Sequence, residues 1–216
     1  TDWNGFEIQC NGGNNGEIAL AVLGGVTGQS YNYDIDGVSN STNIYSNLTA
    51  GTYVVSSTDA NGCSTSETVI MIEPSTSVTS SYTQSDYNGF GVSCNGDSDG
   101  SIDLTVNGGV GVPTYAWSNG STSEDLALLT AGTYSVVASD DNGCTTSETV
   151  VITETVTLTS SYTQSDYNGF GVSCNGDIDG EITLAVLGGV TGQSYNYTID
   201  GVSNSTNIFS NLTAGT

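Results

Sequence analysis

The stretch CNGDSDGSIDLTVNGG, residues 94–109, recurs as CNGDIDGEITLAVLGG at 174–189 and, more loosely, as CNGGNNGEIALAVLGG at 10–25. Each copy opens with a turn of Asn, Gly and Asp and continues into alternating apolar and polar residues. In the middle copy Ile102, Leu104 and Val106 fall on one side of the chain, Asp103 and Thr105 on the other. A period of two marks a half-buried strand, because successive side chains in a strand point to opposite faces. The Gly-Gly that closes each copy is a turn signal.

Outward from this stretch, further landmarks keep the same order. LTAGTY stands at 48–53 and 129–134, and LTAGT at 212–216. NGCSTSETVIMIE at 61–73 returns as NGCTTSETVVITE at 142–154. Aligned on Cys10, Cys94 and Cys174, the repeats are spaced 84 and 80 residues apart. Residues 20–52 and 184–216 differ only at Asp34/Thr198 and Tyr45/Phe209, so the order is A–B–A with a superperiod of 164 residues. Near-identity at that distance points to duplication within a longer array. The expected divisions are 1–74 (type A, lacking its first strand), 75–154 (type B) and 155–216 (type A, stopping before its last strands).

Within a repeat the pattern predicts about seven short strands, in the middle one roughly 77–83, 90–94, 101–107, 113–118, 123–128, 133–139 and 146–153. Tyr134, Val136 and Ala138 alternate as Ile102 to Val106 do. NG, DG and GG turns separate the strands and helical periodicity is absent. The predicted fold is all-β: tandem Ig-like β-sandwich repeats of about 80 residues.

Composition narrows the function. The 216 residues carry a net charge of −23 and contain no Lys, Arg or His. Without cations the chain cannot neutralise phosphates, which excludes nucleic-acid binding, and it has no attraction to an anionic membrane surface. No apolar run approaches the ~20 residues of a membrane span. Catalysis loses its commonest general base and its amine nucleophile. Two carboxylates alone can hydrolyse a glycoside, but the acidic residues lie mostly in turns and shift between repeats. No enzyme is expected.

The five cysteines recur at matching positions. Two per complete repeat predict one disulfide each, Cys10 with Cys63 and Cys94 with Cys144, leaving Cys174 with a partner near position 227, outside the chain. Each bridge would close a loop of about fifty residues, worth roughly 4 kcal/mol in the chain-entropy model, and would require an oxidising compartment. Buried unbonded cysteines are the alternative.

The order CNG–xx–DG–x–I–x–L–x–V–x–GG, then YAWSNG at 115–120, LTAGTY, and DDNGC before a TVVIT strand resembles the SprB repeat of large surface adhesins of gliding Bacteroidota. The middle repeat carries it best. The outer two depart, with SYNYDIDG at 30–37 and SYNYTIDG at 194–201 in place of YAWSNG, and Asn15-Gly16 in place of DG. The resemblance implies a secreted, cell-surface, non-catalytic repeat exported by the type IX pathway, and brings no catalytic residues.

Asn95, Asp97, Asp99 and Gly100, like Asn175, Asp177, Asp179 and Gly180, occupy positions 1, 3, 5 and 6 of a calcium-loop pattern. The acidic ligand at position 12 is replaced by Val106 and Val186, and the first repeat offers only Asn11, Gly13 and Asn15. Turn formation by the same residues is the competing account. A junction site using Glu73 or Glu154 with Asp86 or Asp166 is a second option. Sequons stand at Asn40, Asn47, Asn119, Asn196, Asn204 and Asn211, as many as this composition yields by chance. Tyr31, Tyr33, Tyr115 and Trp117 suit either a sugar platform or the sandwich core. Two structural roles follow: a window from a long adhesive or filamentous surface protein, or a subunit of an assembled, glycosylated fibre completed by a neighbour's strand. A calcium-stabilised adhesin module is a third. The expected partners are neighbouring repeats, copies of the chain itself, or polysaccharide.

Overall fold

A computed structural model describes residues 2–26, 30–190 and 192–215. Thr1 and Thr216, the outer bounds expected for the first and third repeats, lie outside them. The described residues form strands and turns and no helix, so none is long and apolar enough to cross a membrane. Among the described residues no sheet mixes strands from different repeats. The chain gathers into two compact units: residues 1–83, 103–126 and 134–150 form one, and 84–102, 127–133 and 151–216 the other.

In the first unit, β1 (Gly16–Ala19) pairs antiparallel with β4 (Ile44–Leu48). β2 (Asn32–Ile35), β3 (Val38–Asn40), β5 (Gly51–Thr58) and β6 (Ser64–Met71) make a four-stranded sheet in the order β3-β2-β5-β6. Ile18 and Tyr45 from the small sheet meet Ile35, Val55 and Met71 from the large one, with Ile8 closing the cluster. Two sheets therefore share one core, which makes the first repeat a β-sandwich. Asp36 and Gly37, both at positive φ (47° and 85°), join β2 to β3 in the tight turn that matches strand twist.

The middle repeat has two three-stranded sheets. β7 (Thr79–Gln84), β8 (Gly100–Asn107) and β10 (Leu126–Leu129) run in the order β10-β8-β7, and β9 (Thr114–Trp117), β11 (Gly132–Ser139) and β12 (Thr145–Ile152) in the order β12-β11-β9. Ile102 and Leu104, Val136 and Ala138 are buried as their alternation predicts. The strand expected at 90–94 does not form. Gly91 and Val92 instead donate both their N–H groups to one acceptor, the Thr153 carbonyl, and the Asn-Gly turn follows too soon for a ladder. The third repeat builds the sheet β13-β14-β17, from Val156–Gln164, Gly180–Gly189 and Ile208–Leu212, and the hairpin of β15 (Tyr197–Ile199) and β16 (Val202–Asn204).

One residue before each LTAGT the backbone turns left-handed. Asn47 (φ 60°) is the extra residue of a bulge, since Gly16 faces Leu48 while Glu17 faces Ser46; Asn211 (φ 58°) does the same opposite Gly180. The middle repeat puts Leu128 there, at φ 56° and 81% exposed. A leucine in this region carries a steric cost that Asn bears more easily. Leu128→Asn is therefore expected to stabilise the chain by about 1 kcal/mol, read as a higher urea midpoint; an unchanged or lower midpoint contradicts the argument.

Candidate functional site

The place where several polar and covalent interactions converge is the Asn-Gly turn after Cys10. Asn11 donates from Nδ2 to the Pro74 carbonyl (2.8 Å) and accepts at Oδ1 from the Ser77 hydroxyl (2.9 Å). The Gly12 N–H donates to Glu73 Oε2 (2.6 Å). The turn thus grips the segment that leaves β6, and Pro74 is buried there. Cys10 bonds to Cys144, with a Cα–Cα distance of 5.7 Å.

This corrects the expected pairing of Cys10 with Cys63 and of Cys94 with Cys144. Cys63 lies in the turn that precedes β6, and Cys10 lies beside the residues that follow it. The eight residues of β6 separate the two ends by about 26 Å at the usual rise per residue, whereas a bridge needs Cα atoms within about 7 Å. One bond therefore joins the first repeat to the second, instead of one inside each. Cys63, Cys94 and Cys174 are exposed and unbonded in this structure. Recurrence at matching positions picked out Cys10 and Cys144 together with Cys63 and Cys94, which are unbonded here, and could not give the offset of one repeat.

Around Cys144 the turn DDNGC is fixed by its first residue. Asp140 Oδ1 accepts from the N–H of Asn142 (2.9 Å) and of Cys144 (2.8 Å), and Oδ2 accepts from the Val110 N–H (2.9 Å). Asn142, 3% exposed, donates to the Gln9 carbonyl (3.0 Å), accepts from Asn4 Nδ2 (2.6 Å), and its own carbonyl accepts from Gln9 Nε2 (2.7 Å). Sequence reading singled out the cysteines and missed Asp140 and Asn142, although DxNGC recurs at 59–63 and 140–144. At the earlier copy Asp59 Oδ1 holds the N–H groups of Asn61 (3.0 Å) and Cys63 (2.9 Å) in the same way. A cleft of about 160 Å³ lies beside the bond, between Asn11, Thr76, Val78 and Asp140.

In the second unit the turn after Cys94 repeats the grip. Asn95 donates to the Thr155 carbonyl (2.9 Å) and accepts from the Thr157 hydroxyl (2.7 Å), and the Gly96 N–H donates to Glu154 Oε2 (2.7 Å). The proposed calcium residues are engaged in the turn itself. Asp97 Oδ2 accepts from the Ser93 hydroxyl (2.9 Å) and Asp99 Oδ1 from the Ser93 N–H (3.1 Å); Asp177 and Asp179 do the same with Ser173 (2.6 and 3.1 Å). Asn175 is exposed. No group of three or more acidic, Cys or His side chains among the described residues is placed to hold an ion. Of the junction alternative, Glu73 and Glu154 cap Gly12 and Gly96, while Asp86 and Asp166 cap Gly89 and Gly169.

Trp117 is 5% exposed and donates from Nε1 to the Ser123 carbonyl (2.9 Å), so it belongs to the core. Tyr31 and Tyr33 are half-buried, with ring centroids 6.4 Å apart. Tyr115 is half-buried too, and burial, followed by Glu124 beside it, pushes its hydroxyl above the ordinary value. Among the sequons, Asn47, Asn119, Asn196 and Asn211 are exposed. Asn40 and Asn204 are half-buried and direct Nδ2 to the carbonyls of Ile44 (3.5 Å) and Ile208 (2.9 Å).

The SprB repeat family model matches the chain in three segments, residues 7–40, 92–122 and 172–204. No curated protein matches it. Among solved structures, the amphioxus IgVJ-C2 molecule is similar at 17% identity over 65% of this chain and 97% of that one, with a TM-score of 0.29, and nothing further rests on it.

Two measurements check the site. Trypsin finds no Lys or Arg, but cleavage after Glu isolates Cys10 in 8–17, Cys63 in 18–67, Cys94 in 68–124 (Glu73 being followed by Pro74) and Cys144 in 125–148. Unreduced, oxidised chain should yield 8–17 linked to 125–148; a link from 8–17 to 18–67 would restore the pairing within one repeat. The Ser93 and Ser173 hydroxyls and N–H groups also hold the Asp99 and Asp179 carboxyls below the ordinary 3.8. A depressed folded-state value means the capped turns are stabilised above the ordinary carboxylate range and lose that contribution as pH falls through the lowered value. In an NMR titration both carboxyls should protonate below 3.8, and Ser93→Ala should raise Asp99 while leaving Asp179 in place.

Proposed function

We propose that this chain, which carries three SprB-type repeats and is a repeat segment of a surface protein, is a non-catalytic spacer tied together so that it resists extension. The observation that carries the reading is the Cys10–Cys144 bond, which spans 134 residues and joins one repeat to the next. Tension entering before Cys10 crosses to Cys144 through the bond, and the segment between them bears none of it. In the chain-entropy model the same bond contributes about 5 kcal/mol.

The setting follows from the family and the chemistry. SprB repeats occur in secreted cell-surface proteins, and a disulfide of this kind persists outside the reducing cytosol. Type IX export is the route the family suggests. The acidic, cation-free surface suits a spacer, because like charge keeps segments soluble and apart. Adhesion to a surface or polysaccharide would be a task of the larger protein. Exposed Asn47, Asn119, Asn196 and Asn211 are the sequons open to a glycan, which an assembled glycosylated fibre would use. Calcium at the Asp97 and Asp177 turns would require their serine caps to open.

Single-molecule stretching tests the reading. An extended residue spans roughly 3.5 Å, so reduction should lengthen the fully unfolded chain by about 450 Å. An oxidised chain that extends as far as a reduced one would overturn the proposal.

A further inference from the structure

Both cysteines of the joint adjoin an Asn-Gly step. Asn11-Gly12 follows Cys10, and Asn142-Gly143 precedes Cys144. Asn-Gly is the dipeptide most prone to lose its side-chain amide in water, because glycine has no Cβ to hinder its own nitrogen. The glycine nitrogen attacks the asparagine Cγ and ammonia leaves, giving a five-membered succinimide. Water then opens the ring to aspartate or to isoaspartate, in which the backbone runs through the side chain. The reaction needs two freedoms: a side chain that can swing over the next peptide, and a glycine N–H that can release its proton.

The joint removes both at Asn142. Its Nδ2 donates to the carbonyls of Gln9 (3.0 Å) and Trp3 (3.4 Å), and its Oδ1 accepts from Asn4 Nδ2 (2.6 Å). The amide is thus tied at both ends, in a side chain 3% exposed. The Gly143 N–H donates to the Asp140 carbonyl (3.0 Å). At Asn11 the amide is tied to Pro74 and Ser77. There the Gly12 N–H faces the Glu73 carboxylate, so a nitrogen anion would meet a negative charge.

The same turn also exists with its amide untied. At 59–63 Asp59 holds the Asn61 and Cys63 N–H groups, and the Gly62 N–H donates to the Asp59 carbonyl (3.0 Å), as at 140–144. Asn61 is exposed, and its amide has no partner among the described residues. The two steps therefore share their backbone bonds, and the hold on the side chain is what differs.

We propose that Asn142 is a modification site controlled by the joint: it keeps its amide while the joint is closed, and it converts to aspartate or isoaspartate, releasing ammonia, once the joint opens. The product does not fit back. A carboxylate at 142 loses the donations to Gln9 and Trp3 and stands withdrawn from solvent beside buried Asp140, in a chain without cations. Isoaspartate also inserts a backbone atom between the Asn142 and Cys144 N–H groups that Asp140 holds together. Opening thereby becomes one-way, and a segment that has once come apart stays unlatched. The site depends on the bond, whether or not the segment bears tension.

Peptide mapping of the full chain reads the reaction. Cleavage after Glu places Asn142 in 125–148 as its sole asparagine, and Asn61 in 18–67 as its sole Asn-Gly step. The chain is held in warm, mildly alkaline buffer in three forms: oxidised, reduced by a dithiol with its cysteines alkylated, and oxidised but unfolded in urea. The change in mass from amide to acid is followed in each fragment. In the oxidised chain Asn142 should convert about ten-fold more slowly than Asn61, because it reacts only from locally opened molecules. In urea the two should convert at one rate, and in the alkylated chain Asn142 should approach Asn61. An Asn142 that keeps pace with Asn61 in the oxidised chain would overturn the proposal, as would one that opening the bond leaves as slow as before.

Two variants separate the causes. Asn4→Ala, at an exposed residue, leaves the bond and frees one end of the amide. It should speed conversion of Asn142 several-fold in the oxidised chain, and an unchanged rate would contradict the ties as the cause. Asn142→Asp tests the return. Reduced and then reoxidised, it should form about ten-fold less of the link between 8–17 and 125–148 than the unaltered chain, the buried charge opposing closure. An equal yield would sink the one-way step. None of these readouts is taken under tension, so they stand or fall apart from the stretching experiment.

Discussion

Asp140 is 8% exposed, in a chain that has no side-chain cation to place beside it. Its two oxygens take three backbone N–H groups, from Val110, Asn142 and Cys144. A carboxylate withdrawn from water must be compensated, and hydrogen bonds from N–H groups are the means that remain when Lys, Arg and His are absent. The same solution recurs wherever an acid must do structural work. Glu7 takes the Ile72 N–H, Asp36 that of Val54, Asp125 that of Leu104, and Glu73 and Glu154 those of Gly12 and Gly96. Each bond fixes a backbone position as well as a charge. The acidic residues therefore hold the turns in shape, and the turns hold the cysteines.

From that constraint the joint follows in order. Asp140 closes the DDNGC turn, the closed turn carries Asn142 into a buried site where it meets Asn4 and Gln9, and the cysteine at the turn's end reaches Cys10. On the other side Asn11 holds Pro74 and Ser77. Asn is suited to both places because one side chain donates and accepts at once. No ion pair could replace these contacts in a chain of this composition, so amide side chains and a covalent bond carry the joint.

The strands were readable in the sequence because their signal is local. Ile102 and Leu104, Val136 and Ala138 alternate, and they are buried as alternation requires. The DG turn at Asp36-Gly37 is equally local. The segment 90–94 misled because its apolar residues are spaced like a strand's, while its N–H groups converge on a single carbonyl that only the folded sandwich supplies. The disulfide partner was not readable at all. Cysteines of one repeat are nearest in sequence, but an eight-residue strand holds Cys10 and Cys63 at its two ends. Only the three-dimensional return of the chain brings Cys144 to Cys10. Asn95, Asp97 and Asp99 match a metal pattern for the reason they match a turn: both need oxygen atoms at alternate positions beside a glycine. The structure spends those oxygens on Ser93, Thr157 and the backbone.

Pairing offset by one repeat has a consequence that pairing inside a repeat would lack. A bridge from Cys10 to Cys63 would stabilise one sandwich and leave the next to unfold by itself, as in arrays whose stability is a sum over units. The bond from Cys10 to Cys144 closes a loop that contains β1 to β11, so when either sandwich opens the bond still confines most of the chain released, β12 of the second sandwich alone lying past Cys144. Repulsion among 23 carboxylates favours expansion, and the bond limits how far expansion can proceed. Charge and cross-link therefore act on opposite sides of the same quantity, the length between Cys10 and Cys144. A basic chain could have moderated its extension with salt bridges, which weaken in salt. A covalent limit does not depend on ionic strength, which suits a segment displayed outside the cell.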